Sequence, residues 1–319
     1  MRTKRTLAAA SSIRTRRTGD RDARTDAGDT RQGQMKVSLV CTVLNEEDSI
    51  GTLLDSLLSQ TRAADEIVIV DGGSQDRTLQ IAHSFIDARA PLRLCAAEGA
   101  NIAQGRNTAI RLARHDIIAS IDGGCRADSD WLRNLIEPFE EDTTVDVVAG
   151  YWLPEPKTAF EECLGELIYP RIETLDETQF LPSARSIAFT RECWQAVGGY
   201  PEWLYTGEDS LFDLRLRDAG YRFALAENAI VYWRPRATWR GLFKQYYLYA
   251  KGAAEAKIVS RTIAKAYGGN VIVHVFHAMK SMLLRRRARA LFYSFACLPV
   301  ILVAKVTGLC MGKVGLACE

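Results

Sequence analysis

Beyond Lys36 the chain alternates between two rhythms. "KVSLVCTVLN" is a near-continuous apolar, β-branched run, whereas "DSIGTLLDSLLSQ" spaces Ile50, Leu53, Leu54, Leu57 and Leu58 at helical intervals. The first predicts a strand and the second an amphipathic helix. The unit recurs in "EIVIVDGGSQDRTLQIAHSFIDAR", where an apolar strand ends at Asp71 and two glycines turn the chain. Ser74 is then the expected helix cap, with Asp76 in the favourable first turn. A third round follows in "PLRLCAAE", "NIAQGRNTAIRLAR" and "DIIASID". Strands this uniformly apolar are covered on both faces, so the pattern predicts an α/β fold, a mostly parallel sheet flanked by helices.

Sheets of that kind bind ligands at the carboxyl ends of their strands. Asn45, Glu46, Glu47, Asp71 and Asp122 stand at such ends. An Asp followed by glycines is, taken alone, ordinary turn chemistry. Three successive strands delivering polar groups to one rim argue for a shared ligand instead. Further on, "EDSLFDLRLRDAG" reads as a helix with Leu211, Leu214 and Leu216 partly buried and Gly220 as its stop, which puts Glu208 and Asp209 in the first turn.

Composition narrows the class. With 319 residues, 47% hydrophobic and 25% charged, the chain is neither fibrous nor wholly disordered. The net charge of +2 hides an uneven distribution, because residues 1–34 are rich in Arg, Thr and Asp and poor in large apolar side chains. Such a segment cannot repay its ordering entropy, so it is expected to be a disordered basic tail, too weakly apolar around Leu7 for a signal peptide. The 8 cysteines are scattered without Cys-x-x-Cys spacing, which favours a reduced, cytoplasmic setting. Nothing in the charge pattern calls for a nucleic-acid partner.

Several stretches together carry a resemblance. "TVLNEEDSIGTLLDSLLSQ", "EIVIVDGGSQDRT", "GRNTAI", "IDGGCRADSDWL", "SIAFTRECWQAVGGYPEW" and "GEDSLFDLRLRDAGYRF" follow in order the pattern of family 2 glycosyltransferases of the GT-A fold, over roughly Lys36 to Tyr249. The resemblance implies an inverting transfer of a sugar from a nucleotide-sugar donor to a hydroxyl of a glycan or lipid-linked acceptor. By it, Thr42, Asn45, Glu47 and Asp71 fall at the nucleotide, Arg106 and Asn107 on the family's Arg-Asn pair, and Asp122 on the first aspartate of the Asp-x-Asp signature. Asp209, after Glu208, falls on the catalytic base.

One departure matters for the cofactor. Where many relatives carry the second aspartate, this chain has Gly124. Mg2+ or Mn2+ is often held by one or two carboxylates plus substrate phosphates, so Asp122 is the expected metal ligand, with Arg234 or Arg236 as a helper at the diphosphate. A decayed, nucleotide-sugar-binding relative is the alternative that Gly124 leaves open.

The domains expected are thus a tail over 1–34, a GT-A domain over 35–255 and a C-terminal helical segment over 256–319. The stretch from Tyr151 to Trp203, which lacks the βαβ rhythm and is rich in aromatics, is expected on the acceptor side. "ALFYSFACLPVILVA" meets Lys305 after about 15 residues, short of the roughly 20 that span a bilayer; counting weaker residues on to Met311 reaches that length at the expense of burying Lys305. Two readings follow for this end: helices packed under the catalytic domain, or peripheral helices at the inner face of the cell membrane with Arg285, Arg286, Arg287 and Arg289 toward acidic head groups.

Overall fold

The computed structural model describes residues 35–86, 91–168, 180–256, 279–280, 282–283 and 288–317. The expected tail over 1–34 lies outside them, as do Arg285, Arg286 and Arg287.

The three predicted βα rounds form one half of a mixed sheet. β1 (Val37–Val43), β2 (Glu66–Asp71), β3 (Leu92–Ala96) and β4 (Ile117–Asp122) run parallel, in the spatial order β3-β2-β1-β4. The other half is β5 (Cys125–Ala127), β6 (Val147–Pro154), β7 (Ile187–Thr190) and β8 (Phe223–Trp233), added in the order β7-β6-β8-β5. β7 lies antiparallel between β4 and β6, which is where the sequence lost its alternating rhythm.

Helices cover both faces, as the unbroken apolar strands required. Leu39, Ile67 and Ile121 bury one face with Ile50, Leu53 and Leu57 of α1 (Ile50–Leu58), Ala82 of α2 (Thr78–His83) and Trp131 and Leu135 of α4 (Trp131–Glu141). Val40, Val68 and Ile118 bury the other with Ile110 of α3 (Ile102–Leu112), Cys193 of α6 (Arg191–Ala196) and Phe212 of α7 (Glu208–Asp218). Leu58, expected on the buried stripe of α1, is 38% exposed. The predicted cap at Ser74 is also displaced: α2 starts four residues later, where Asp76 accepts from the Thr78 N–H at 2.9 Å, and Ser74 is taken up by the turn after Asp71. Gly220, at φ +82°, closes α7 as expected.

A third cluster joins α5 (Ala159–Ile168), α8 (Trp239–Glu255) and α9 (Ala288–Ala317) through Phe160, Cys163, Leu164, Leu242 and Cys297. One face of α9 therefore packs against α5 and α8. Its other face presents Phe292, Phe295, Leu302 and Val306 to solvent. α9 continues past Lys305, and Phe292–Met311 has the length and composition of a membrane-crossing helix. This is the longer of the two counts made from sequence, the one that runs through Lys305 to Met311.

Register sets the functional rim. Thr42 pairs with Asp122 and Val43 with Asp71, so three strand ends open at one level.

Candidate active site

Arg106 sits in the second turn of α3 and is 3% exposed. Its guanidinium donates to Asp122 Oδ1 at 2.6 Å, at the end of β4, and to Glu208 Oε1 at 2.5 Å, in the first turn of α7. A buried guanidinium survives when acids repay its lost hydration. Asp122 and Glu208 do this, and together they hold Arg106 firmly in its charged form. Burial, with the charge of Asp209 added, pushes Glu208 up to about 7 against the pull of Arg106. The ring of Tyr200 lies 5.4 Å from the guanidinium and stacks on Phe212 at 4.2 Å, so the hub is walled by aromatics.

Asp209 follows Glu208 on the more open side of α7, half-buried. Its Oδ1 accepts from the Ser210 N–H at 2.7 Å. One turn on, Asp213 is 1% exposed and its carboxyl has no hydrogen-bond partner among the described residues, nor has the buried Tyr200 hydroxyl. Burial first, then the nearby Asp209, raises the Asp213 carboxyl well above its usual range.

Two residues beside Asp122 were given no role from sequence: Arg185 was not named, and Glu46 was named only as standing at a strand end. Arg185 brings Nε to 3.9 Å from Asp122 Oδ2, with its guanidinium 5.2 Å from the ring of Trp152 and 5.0 Å from that of Trp233. Its approach follows from the antiparallel β4–β7 pairing: Ser120 faces Ile187, and two residues further Arg185 comes opposite Asp122. That pairing cannot be read from periodicity. Glu46 is the second. Its carboxylate lies beside Gly124, where burial raises its pKa and Arg236 and Asp122 act on it with opposite signs.

The other selected residues divide by what they touch. Asp71, 2% exposed, accepts from the N–H groups of Gly73 and Ser74 at 2.9 and 3.0 Å and from the Ser74 hydroxyl at 2.5 Å, so its carboxylate shapes the loop after β2. Asn45, left-handed at φ +55°, ties the loop after β1 to it: its N–H donates to Ser74 Oγ at 2.9 Å and its Oδ1 accepts from the Gln75 N–H at 2.8 Å. Glu47 turns outward to Arg77 at 3.2 Å. The Thr42 hydroxyl is buried without a partner among the described residues, and its methyl is so close to Gly105 that a Cβ there would stand 2.3 Å away.

Asn107 is spent on structure. Its amide donates to Tyr200 O and Glu202 Oε1, and its Oδ1 accepts from Trp194 Nε1 and the Tyr200 N–H. Arg234 is held by the fully buried Glu161 at 2.7 Å, whereas Arg236 is exposed toward Glu46. Among the described residues no three His, Cys, Asp or Glu side chains converge on a cation site. A metal at Asp122 would therefore rest on at most two protein carboxylates and on ligand oxygens. A separate cleft of about 480 Å³, lined by Arg111, Trp194, Glu202, Trp203 and Arg215, includes neither Asp122 nor Asp209.

Residues 38–179 match the family described as Glycosyl transferase family 2. Glycosyltransferase AglE of Haloferax volcanii is 29% identical over 237 residues, which cover 70% of this chain and 75% of that protein. The succinoglycan biosynthesis protein ExoA of Rhizobium meliloti is 30% identical over 234 residues, 68% of each chain. Among solved structures, the mannosyltransferase PcManGT from Pyrobaculum calidifontis, in complex with GDP-Man and Mn2+, gives a TM-score of 0.59 at 20% identity, covering 88% of this chain and 86% of that one.

Proposed function

The chain belongs to glycosyl transferase family 2, is a glycosyltransferase of the GT-A fold, and on that premise we propose that it transfers a sugar from a nucleotide-diphosphate sugar to an acceptor hydroxyl with inversion, Asp209 acting as general base. The observation that carries this is the double contact of Arg106. One guanidinium joins Asp122, at the rim of the parallel sheet, to Glu208, beside Asp209.

In this reading the acceptor hydroxyl approaches the anomeric carbon from the side opposite the diphosphate. Asp209 takes its proton as the new C–O bond forms, the bond to the phosphate oxygen breaks, and nucleoside diphosphate leaves. Arg106 holds Asp122 and Glu208 in place, and Arg185 and Arg236 supply positive charge toward the departing diphosphate. Thr42, Asn45, Glu47 and Asp71 belong to the nucleotide end, Asp71 through the turn it organises. Asp122 fits a divalent ion by its hard oxygen donors at the mouth of the strand; when bound, such an ion would offset the charge on the leaving group.

The acceptor side is assigned to the loop before α7, where Trp203 and Tyr205 are 62% and 60% exposed. ExoA is named for the biosynthesis of a polysaccharide, and a glycan or lipid-linked precursor is the acceptor class proposed here. The outward faces of α8 and α9 carry Trp239, Phe243, Phe292 and Phe295 beside the exposed Arg240, Lys244 and Arg289, a combination suited to peripheral docking on the inner face of the cell membrane.

Purified chain screened with UDP-, GDP- and dTDP-sugars, with product anomers assigned by NMR, tests the proposal. Release of nucleoside diphosphate with inverted product is expected. Retained configuration, or no turnover of any donor, would remove it.

A further inference from the structure

Asp122-Gly123-Gly124 has lost the second carboxylate of a metal motif, and the two glycines differ in why they are there. A Cβ on Gly123 would lie 3.0 Å from Val43 Cγ1 and 3.1 Å from Thr42 O, so crowding accounts for that glycine. At Gly124 φ is not positive, and a Cβ would meet only the carboxylate of Glu46, at 3.6 Å from Oε2 and 3.8 Å from Oε1. Neither backbone strain nor packing calls for glycine at 124. The direction in which an aspartate there would project is already filled by a carboxylate from another element.

We propose that Glu46 is the second protein ligand of the divalent cation held by Asp122, so that a motif broken in sequence is completed in space. This rests on the glycosyltransferase reading and on its metal at Asp122.

Glu46 is fixed for such a role. Its N–H donates to Thr78 Oγ1 at 2.7 Å, its carbonyl accepts from the Ser49 and Ile50 N–H groups at 3.0 and 2.8 Å as α1 begins, and the Ser49 hydroxyl donates to Oε2. The loop therefore presents the carboxylate with little freedom left to lose. The local charges point the same way. Glu46, Asp122, Glu208 and Asp209 face Arg106, Arg185 and Arg236, and an incoming diphosphate adds further negative charge that a divalent ion offsets. Two carboxylates with phosphate oxygens and water form a donor set that Mg2+ and Mn2+ accept.

The test is Mn2+ binding to the full chain in saturating UDP or GDP, read from the electron paramagnetic resonance signal of free Mn2+. Glu46→Gln is expected to weaken Mn2+ binding by about tenfold or more. Nucleotide affinity without metal should stay unchanged, as should Mn2+ binding in Asp48→Asn, an exposed acid of the same loop. Adding Gly124→Asp to Glu46→Gln should recover most of the lost affinity, because that side chain is directed to the same place. Equal Mn2+ affinity in wild type and Glu46→Gln overturns the inference, and so does a loss that Gly124→Asp leaves unrepaired. A chain that binds nucleotide and no Mn2+ also overturns it while leaving glycosyl transfer standing; one that binds neither nucleotide removes the donor-site reading itself.

Discussion

Arg106 and Glu208, 102 residues apart in sequence, meet at 2.5 Å in a contact where their side chains are 3% and 7% exposed. An ion pair this deep is worth little net against apolar packing, yet losing one partner strands a charge. Arg106→Met is therefore expected to cost about 3–5 kcal/mol in chemical denaturation. Arg106→Met with Glu208→Leu should recover a large part of that loss. Additive losses in the double variant would contradict the pair as the source of the effect.

Asp213 gives a pH-dependent prediction. Its raised carboxyl pKa means that the folded chain keeps a proton which the unfolded chain releases above about pH 4. Stability accordingly falls as pH rises from the carboxylate range toward the folded value, and Glu208, pushed from 4.5 to about 7, adds to the fall over that interval. Asp213→Asn carries no charge at any pH. It should raise Tm at pH 8 and change it less at pH 5, the difference being on the order of 1–3 kcal/mol. A gain of the same size at both values would contradict this account.

The two close approaches around the site predict opposite behaviour for two glycines. Gly105→Ala drives a methyl to 2.3 Å from Thr42 Cγ2, where α3 meets β1, and should cost about 1–3 kcal/mol. Gly124→Ala meets nothing nearer than 3.6 Å, and thermal unfolding of the free chain should move by less than about 0.5 kcal/mol. Equal losses would place crowding at both positions.

Much of this arrangement was legible before any coordinates. The runs ending at Asp71 and Asp122 had to be covered strands, and parallel βα units bring such ends to one rim by topology alone. Arg106 and Glu208 could be named as candidate site residues, but their pairing could not, since a contact across 102 residues leaves no periodic trace. Arg185 was missed for a related reason: only the antiparallel insertion of β7 beside β4 puts it near Asp122. Glu46 could be named at a strand end, but that its carboxylate lies beside Gly124 depended on side-chain directions in a turn that begins at a left-handed Asn45, and pattern analysis has no access to those. Arg234 lay in a persuasive basic run, yet a buried acid on α5 claims it.

The outward surface of α8 and α9 predicts salt-sensitive membrane binding. Arg240→Glu with Lys244→Glu should lower the affinity for anionic lipid vesicles, read by sedimentation, by about 10²- to 10³-fold at low ionic strength, since each basic group near such a surface contributes about 1 kcal/mol and reversal doubles the change. Phe292→Ser with Phe295→Ser should weaken binding at every salt concentration, these side chains being 74% and 63% exposed. Vesicle binding unaffected by both pairs would contradict docking through this face.

The most direct measurement compares Asp209→Asn with wild type for donor affinity and for transfer in one set of reactions. Asn keeps the size of the side chain and its bond from the Ser210 N–H while removing its capacity to take a proton. Donor affinity should stay within about twofold and transfer should fall by about 10²- to 10⁴-fold. Transfer at the wild-type rate would contradict the assignment of the base, and with it the claim that Arg106 assembles a sugar-transfer site.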